Sequence, residues 1–286
     1  MEYQLGASES IPEAFTRLGA EVIWQIRAGV ALGSAEGIHE ARKGCKWLRA
    51  LLRLLRSGLD AEAAATESRR IRRVARMLGT VRDATIRLVA FRSLGLAMFE
   101  SLEKQLESKA RAEHDEQLGR YGQGKLLKAI DSLSHGWKQL RLKRGSWRHV
   151  GQGVERSYRR ARRAFRRTDR DHTDELLHEW RKRSKDLMYH VRLLEQIKPK
   201  KMGKLEKHLD DLSDWLGYDH DLTVLTAYLR QKGDLTPVGR ETLLSEVNKH
   251  RKEHLTAARH IADIVFKPKP GEFSRRLERW WDRWRE

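Results

Sequence analysis

The stretch Ile38-His39-Glu40-Ala41-Arg42-Lys43 returns later in the chain as Leu177-His178-Glu179-Trp180-Arg181-Lys182. In both copies a histidine is followed by basic residues at steps of three and four, which share one face of an α-helix. The repeat therefore predicts two helices that each carry a line of positive charge. We call these lines the first cationic stripe (His39, Arg42, Lys43, Lys46, Arg49 and Arg53) and the second cationic stripe (His178, Arg181, Lys182, Lys185 and Arg192).

Apolar residues occupy the opposite side of both predicted helices. A helix with one apolar and one charged side docks its apolar side on a core. The two stripes are therefore predicted to face away from the core. The apolar positions are Leu48, Leu51, Leu52, Leu55 and Leu59 behind the first stripe, and Leu187, Val191 and Leu194 behind the second.

A second motif also occurs twice, as Leu78-Gly79-Thr80-Val81-Arg82-Asp83 and as Leu216-Gly217-Tyr218-Asp219-His220-Asp221. Glycine often ends a helix in a left-handed conformation, and aspartate caps or pairs with the helix that follows. We therefore interpret this motif as helix punctuation. A direct ligand role is the alternative, in which Arg82 and His220 face the same cleft as the stripes.

Composition favours an all-α fold. The chain has 286 residues, 39% of them hydrophobic, with nine tryptophans, which is enough to build a core. A charged fraction of 35% and only five prolines fit long amphipathic helices better than strands. The single cysteine, Cys45, cannot form an intrachain disulfide and fits a reducing compartment. Because neither a signal peptide nor an apolar stretch of membrane-spanning length is recognisable, we expect a cytoplasmic protein without a membrane partner.

Turn-forming residues divide the chain into predicted helices joined by short connections, which make sequential helices antiparallel neighbours. We predict a first helical bundle over residues 1–118, a connecting segment over 119–152, a second bundle over 153–266 and a C-terminal amphipathic helix over 267–286. If a pseudo-twofold axis relates two such four-helix bundles, the stripes line a basic central groove or pore. The predicted helices cover residues 11–33, 36–57, 61–78, 82–117, 124–135, 153–169, 173–197, 203–216, 220–231 and 237–265.

Further charges make the two halves unequal. Arg69, Arg72, Arg73 and Arg76 share a helix face that extends the first stripe, whereas the second half carries Asp210, Asp211 and Asp214 at the equivalent place. We therefore expect the stronger positive wall in the first half. A further arginine cluster precedes the second stripe, although a charge run is as often a solvated helix face. It consists of Arg156, Arg159, Arg160, Arg163, Arg166, Arg167 and Arg170.

The sequence contains no recognisable catalytic constellation. A lysine follows each stripe histidine after four residues, so neither an HxxxH nor an HExxH metal-binding pair exists there. Phosphate-binding loops of the GxxxxGK[ST] and GxGxxG types are also missing. We therefore expect a protein that is not an enzyme and that uses no metal and no cofactor.

A net charge of +19 and a pI near 10.2 indicate a polyanionic partner. Proteins that bind single strands interleave basic and aromatic residues to stack on bases. The cationic faces offer only Tyr189 for such stacking, so phosphate without bases is the better match. Nucleic acid stays the alternative partner.

The pattern from His39 to Arg49, its repeat from His178 and the two LGxx(R/H)D motifs resemble the CHAD domain, the conserved histidine α-helical domain, over about residues 10–265. The resemblance implies two four-helix bundles around a basic central pore that binds inorganic polyphosphate. Many members are fused to a triphosphate-hydrolysing domain marked by an ExExK strand, which this chain lacks, so we expect a stand-alone binding module. The resemblance implies polyphosphate contacts from both stripes and Arg76, to which we add Arg72, Arg73, Arg82 and His220.

Two positions depart from strict equivalence: Met188 stands where the first stripe has Arg49, and Asp214 stands where it has Arg76. Our first hypothesis is non-catalytic binding of inorganic polyphosphate, with polyphosphate granules of the cytoplasm as the place of action. A nucleic-acid-binding protein is the second hypothesis. A phosphohydrolase or polyphosphate kinase is a third and weaker one.

Overall fold

The computed structural model of the protein describes residues 4–78, 82–120, 123–142, 145–233 and 235–286. Within these ranges the chain forms α-helices and short 3₁₀ turns and no β-strand, which confirms the predicted all-α fold class. In chain order the α-helices are α1 (Ile11–Leu32), α2 (Ala35–Leu54), α3 (Ala61–Met77), α4 (Arg82–Ser93), α5 (Glu100–Arg120), α6 (Gln123–Gln139), α7 (Trp147–Thr168), α8 (Asp174–Leu193), α9 (Pro199–Gln231), α10 (Pro237–Val265) and α11 (Pro270–Arg285).

The two histidine-led helices, α2 and α8, are built alike. Each has 20 residues, with its histidine at the fifth position. The side chains of Ser34 and Thr173 cap their N-termini by accepting a hydrogen bond from a backbone N–H of the first turn. Both helices end at a leucine with nearly the same backbone angles, φ −95° and ψ 11° at Leu55 and φ −98° and ψ 12° at Leu194. A single 3₁₀ turn follows each of them.

The larger hydrophobic core joins α1, α2, α3 and α6 to α7, α8, α11 and the adjoining ends of α9 and α10. Aromatic side chains form much of it. Phe15 stacks on Trp137 with ring centres 4.8 Å apart, and Tyr158 stacks on Phe273 at 4.1 Å. The second contact fixes α11 on α7. Cys45 lies in this core, buried behind the first stripe.

A smaller core lies at the other ends of α9 and α10, where these helices pack against α4 and α5. Leu222, Leu225 and Leu229 of α9 and Leu243 and Val247 of α10 are all buried there. Both cores therefore draw on helices from either side of residues 119–152. The predicted division into two halves stays a prediction.

Residues 123–139 form the regular helix α6, which packs against α1 and α3. It agrees with the helix predicted over 124–135 inside the connecting segment and extends it at its C-terminal end. Its buried residues recur at helical spacing as Leu126, Ile130, Leu133 and Trp137.

Two predicted helix boundaries were wrong. The predicted helix over 82–117 is two helices, because the chain leaves α4 after Ser93 and Gly95 adopts a left-handed conformation with φ 66°. The predicted end at Gly217 does not exist, since α9 runs unbroken from Pro199 to Gln231. Its buried face continues through Leu216, Asp219 and Leu222, so tertiary packing outweighs the small helix cost of one glycine. The punctuation interpretation of the second LGxx(R/H)D motif is therefore wrong, while Gly79 to Val81 of the first lie outside the described residues.

Candidate functional site

The two histidine-led helices meet in the middle of the molecule, near the C-terminal ends of their stripes. The Trp47 and Tyr189 rings pack with centres 4.9 Å apart. Nε2 of His190 lies 2.9 Å from the carbonyl oxygen of Ala50. At the last turn, Arg53 donates to Asp186 over 2.5 Å, and both side chains are largely buried. These contacts hold α2 against α8 and bring the ends of the stripes together.

His190 is a structural histidine that the motif pattern did not single out. It is buried, and burial lowers its pKa to about 3, so the ring is neutral. Because the Ala50 carbonyl can only accept, His190 carries its proton on Nε2 and accepts at Nδ1 from the Ser157 hydroxyl, 2.9 Å away. The ring therefore ties α8 to both α2 and α7. Because its neighbours in the sequence are largely apolar, this position looked like an ordinary core position.

The first stripe lies along the outer side of α2. His39 is exposed, and Arg42, Lys43, Lys46 and Arg49 are half-buried. Within this helix Glu40 accepts from Lys43 over 3.0 Å. Burial raises the pKa of the Cys45 thiol to about 12 despite the nearby stripe cations, so this thiol stays neutral.

The second stripe is balanced by several carboxylates. Lys182 lies 3.9 Å from Glu179, and Arg192 pairs with Glu206 of α9. Arg192 also lies over the Trp47 ring of α2, 5.8 Å from its centre. This arginine is therefore engaged in packing at the helix crossing.

Asp214 of α9 faces the second stripe. Burial and its neighbours Asp210 and Asp211 raise its pKa, whereas Lys185 and Arg181 act in the opposite direction. The acids that replace the arginines of the first half therefore lie close enough to the second stripe to weaken its field. Sequence comparison of the halves had identified these acids, but not that they face Lys185 and Arg181.

The structure brings His178 and His220 together, with ring centres 5.0 Å apart. The pKa of His178 is lowered by burial and by Arg181 and Lys182, which favours the neutral ring. His220 belongs to the second LGxx(R/H)D motif. Its contact with His178 puts it beside the second stripe, where the alternative interpretation of this motif expected it. The motif therefore sits against the head of the second stripe.

Other residues of this motif serve packing. A Cβ atom at Gly217 would lie at van der Waals distance, 3.4 Å, from Nη2 of Arg181, so this stripe arginine packs against the backbone of α9. Asp219 is buried and accepts from Nε of Arg251 over 2.8 Å. Arg251 also reaches Asp174 at the start of α8, over 2.5 Å. One arginine of α10 thereby clamps α8 and α9.

Not every predicted site residue joins this arrangement. Arg72, Arg73 and Arg76 are exposed on α3. In the described part of the chain their side chains form neither a hydrogen bond nor an ion pair. Arg82 begins α4, and its side chain lies outside the described residues.

The arginine cluster of α7 lies on the side of that helix opposite its buried residues. Arg159 pairs with Glu155, and Arg162 donates to the backbone carbonyl of Phe266 over 2.8 Å. Several of these arginines, with Pro270, line an open cavity of about 280 Å³. No stripe residue lines this cavity, whereas Arg156 and Arg160 of the same cluster lie beside Arg53.

Within the described ranges, no three histidine, cysteine or acidic side chains form a group that could hold a metal ion. No described helix is both long enough and apolar enough to cross a bilayer. The chemistry present is that of an anion receptor, in which arginines offer planar pairs of donors and lysines offer mobile point charges.

Comparison with known proteins identifies the fold. The CHAD domain from the plant Ricinus communis has a TM-score of 0.63 and 19% identity, covering 99% of this chain and 95% of that one. PptA from Streptomyces chartreusis has a TM-score of 0.67 and 14% identity, covering 91% and 100%. No curated protein matches the chain. A family model described as the CHAD domain matches residues 18–230, and the chain therefore belongs to the CHAD domain family.

Proposed function

We propose that the protein binds inorganic polyphosphate, without catalysing a reaction, through the two cationic stripes. The observation that carries this proposal is the crossing of α2 and α8, where Arg53 meets Asp186 and His190 meets Ala50. Two rows of cationic side chains that meet at one point can contact successive phosphates of a single polyphosphate chain. Resemblance of the histidine-led motifs to the CHAD domain supports the same ligand.

His178 fits this role as a hydrogen-bond donor. An empty site with Arg181 and Lys182 beside His178 disfavours a charged imidazole. A bound polyanion reverses that balance and favours protonation. Binding is therefore expected to take up protons and to strengthen as the pH falls toward the ordinary pKa of histidine.

Titration with long-chain polyphosphate and with length-matched single-stranded and duplex DNA tests the proposal. We expect polyphosphate to bind more tightly at the same salt concentration. Equal or tighter binding of DNA would contradict it. Salt dependence alone does not separate these ligands, because both release counterions.

The second candidate function is nucleic-acid binding through the arginine face of α7. It is favoured by Arg163, Arg166, Arg167 and Arg170, which form no ion pair in the described part of the chain. Two charge-reversal variants of equal charge separate the candidates. One carries glutamate at Arg42, Lys46, Arg181 and Lys185, and the other at Arg163, Arg166, Arg167 and Arg170.

If the stripes bind polyphosphate, the first variant loses polyphosphate binding and the second retains it. Loss in the second variant alone would move the site to α7. Release of orthophosphate by the purified protein with Mg²⁺, above the stripe variant, would instead favour catalysis. If the protein binds polyphosphate, we expect it to lie at polyphosphate granules in the cytoplasm. Imaging of a fluorescent fusion can check this.

A further inference from the structure

A small cavity lies where α7 crosses the ends of α2 and α8. Its volume is about 90 Å³. About 10–15 Å³ is enough to hold one water, so this space accommodates a tetrahedral oxyanion but not a nucleoside. Five arginines line it: Arg53 of α2, Arg56 of the following turn, Arg156 and Arg160 of α7, and Arg183 of α8.

The charge of this cavity is poorly balanced. Five arginines against a single acid, Asp186, leave a formal charge of +4. Asp186 is already engaged by Arg53 over 2.5 Å and lies 3.7 Å from Arg183. Arg56, Arg156 and Arg160 form no ion pair with any described residue.

Two buried guanidinium atoms also lack acceptors. Nε of Arg53 and Nη2 of Arg156 are inaccessible to solvent and have no hydrogen-bond partner among the described residues. Burial lowers the pKa of both arginines, and Arg160 contributes to this in each case. Folded proteins seldom leave such donors unsatisfied, and each one calls for an explanation.

The remaining polar group of the cavity is the Ser157 hydroxyl, which donates to Nδ1 of the neutral His190. Its oxygen accepts from neither Nε of Arg53 nor Nη2 of Arg156. Its position is fixed by the bond to His190. The cavity is therefore a concentration of arginine donors around a space with one carboxylate at its wall.

We propose that this cavity is a binding site for a single phosphate group, held by Arg56, Arg156 and Arg160. An oxyanion with several acceptor oxygens matches both the surplus charge and the unsatisfied guanidinium donors. The same chemistry is offered by free orthophosphate and by the terminal phosphate of a longer chain. The site does not depend on polyphosphate binding by the stripes, since orthophosphate binding can be measured by itself.

Isothermal titration of the full chain with orthophosphate tests the site, using Arg156→Gln/Arg160→Gln as the variant. The matched control is Arg275→Gln/Arg279→Gln, which removes the same charge from exposed positions of α11. We expect one orthophosphate to bind the wild type and the control, and binding to the cavity variant to be at least about tenfold weaker. Circular dichroism verifies that both variants keep their helical content.

Polyphosphate titrations of the same variants identify the source of the phosphate. Unchanged polyphosphate affinity in the cavity variant assigns the site to free orthophosphate. A parallel loss that the α11 control does not show assigns it to a chain end. Equal orthophosphate affinity in the two variants, or no orthophosphate binding by the wild type, would overturn the proposal, even if the stripes bind polyphosphate.

Discussion

The helices α2 and α8 share their length, capping, histidine position and ending, yet they present different electrostatic surfaces. In the first stripe, Lys43 pairs with Glu40 and Arg53 pairs with Asp186. The second lies against Glu179, Glu206 and the aspartates of α9. Similar backbone construction has therefore been combined with unequal charge. We therefore expect an anion to be attracted more strongly to α2 than to α8. The attraction of α8 should depend more on the charge of the acids beside it.

Neutralising the first stripe should have the largest effect. The triple variant Arg42→Gln/Lys46→Gln/Arg49→Gln is expected to weaken polyphosphate binding about 100-fold, because each charge removed from a partly exposed position contributes about 1 kcal/mol. The matched variant Arg181→Gln/Lys182→Gln/Lys185→Gln should cost only about tenfold, since acids already offset its field. Fluorescence anisotropy with labelled polyphosphate measures both. Equal losses would mean that the two stripes are equivalent.

The crossing of the two helices should be sensitive to its ion pair. Asp186→Asn removes the partner of the largely buried Arg53 and leaves Arg53 beside Arg183 without a carboxylate. We expect the free energy of unfolding in urea to fall by about 2 kcal/mol. The control Asp169→Asn breaks the more exposed pair with Arg259 and should cost less than about 0.5 kcal/mol. Similar costs in both variants would show that the crossing is not stabilised by its ion pair.

Lowering the pH should reduce the stability of the fold through His190 of α8. Its pKa is about 3 in the folded protein against an ordinary value of 6.5, so the unfolded chain binds the proton more tightly. Stability from this group is present above pH 6.5 and is lost as the pH falls toward 3. Between pH 7 and pH 5 the loss should approach about 2 kcal/mol, at about 1.4 kcal/mol per pH unit.

The variant His190→Gln provides the reference for that titration. Urea unfolding of wild type and variant across this pH range should show the advantage of the wild type shrinking as the pH falls. The corresponding position of α2 is Leu51, which does not titrate. A constant difference between the two proteins would show that His190 is not the group responsible.

Removing the acids beside the second stripe should have the smallest effect, and in the opposite direction. Asp210→Asn/Asp214→Asn is expected to raise polyphosphate affinity about fivefold, equivalent to about 1 kcal/mol. Asp263→Asn/Asp282→Asn makes the same charge change at exposed positions of α10 and α11 and serves as control. Equal gains in both variants would attribute the effect to net charge alone.

The sequence predicted the helical elements that contain strong periodicity. Helices α1, α2, α3, α8 and α10 start and end within a few residues of the predicted positions. The errors concern Gly95, which adopts a left-handed conformation just after α4, and Gly217, which continues a helix because of its packing against other helices. Arg181 beside Gly217 and Arg251 beside Asp219 belong to other helices, so no local pattern could reveal them.

The candidate site was predictable to a similar degree. Heptad-like spacing placed the stripe cations on one face of each helix, and the approach of His220 to His178 agrees with the alternative role of the motif. The crossing partners Asp186 and His190 were not singled out, since their roles arise only when α2 and α8 touch. Long-range contact of this kind carries no signal in residue spacing.

The continuous helix α9 has a consequence for how the molecule comes apart. At a rise of 1.5 Å per residue, its 33 residues form a rod of about 50 Å. Met202 near one end belongs to the larger core, and Leu225 toward the other belongs to the smaller one. Neither core can melt alone without fraying the rod between them. We therefore expect hydrogen exchange in the middle of α9 to be among the slowest in the protein.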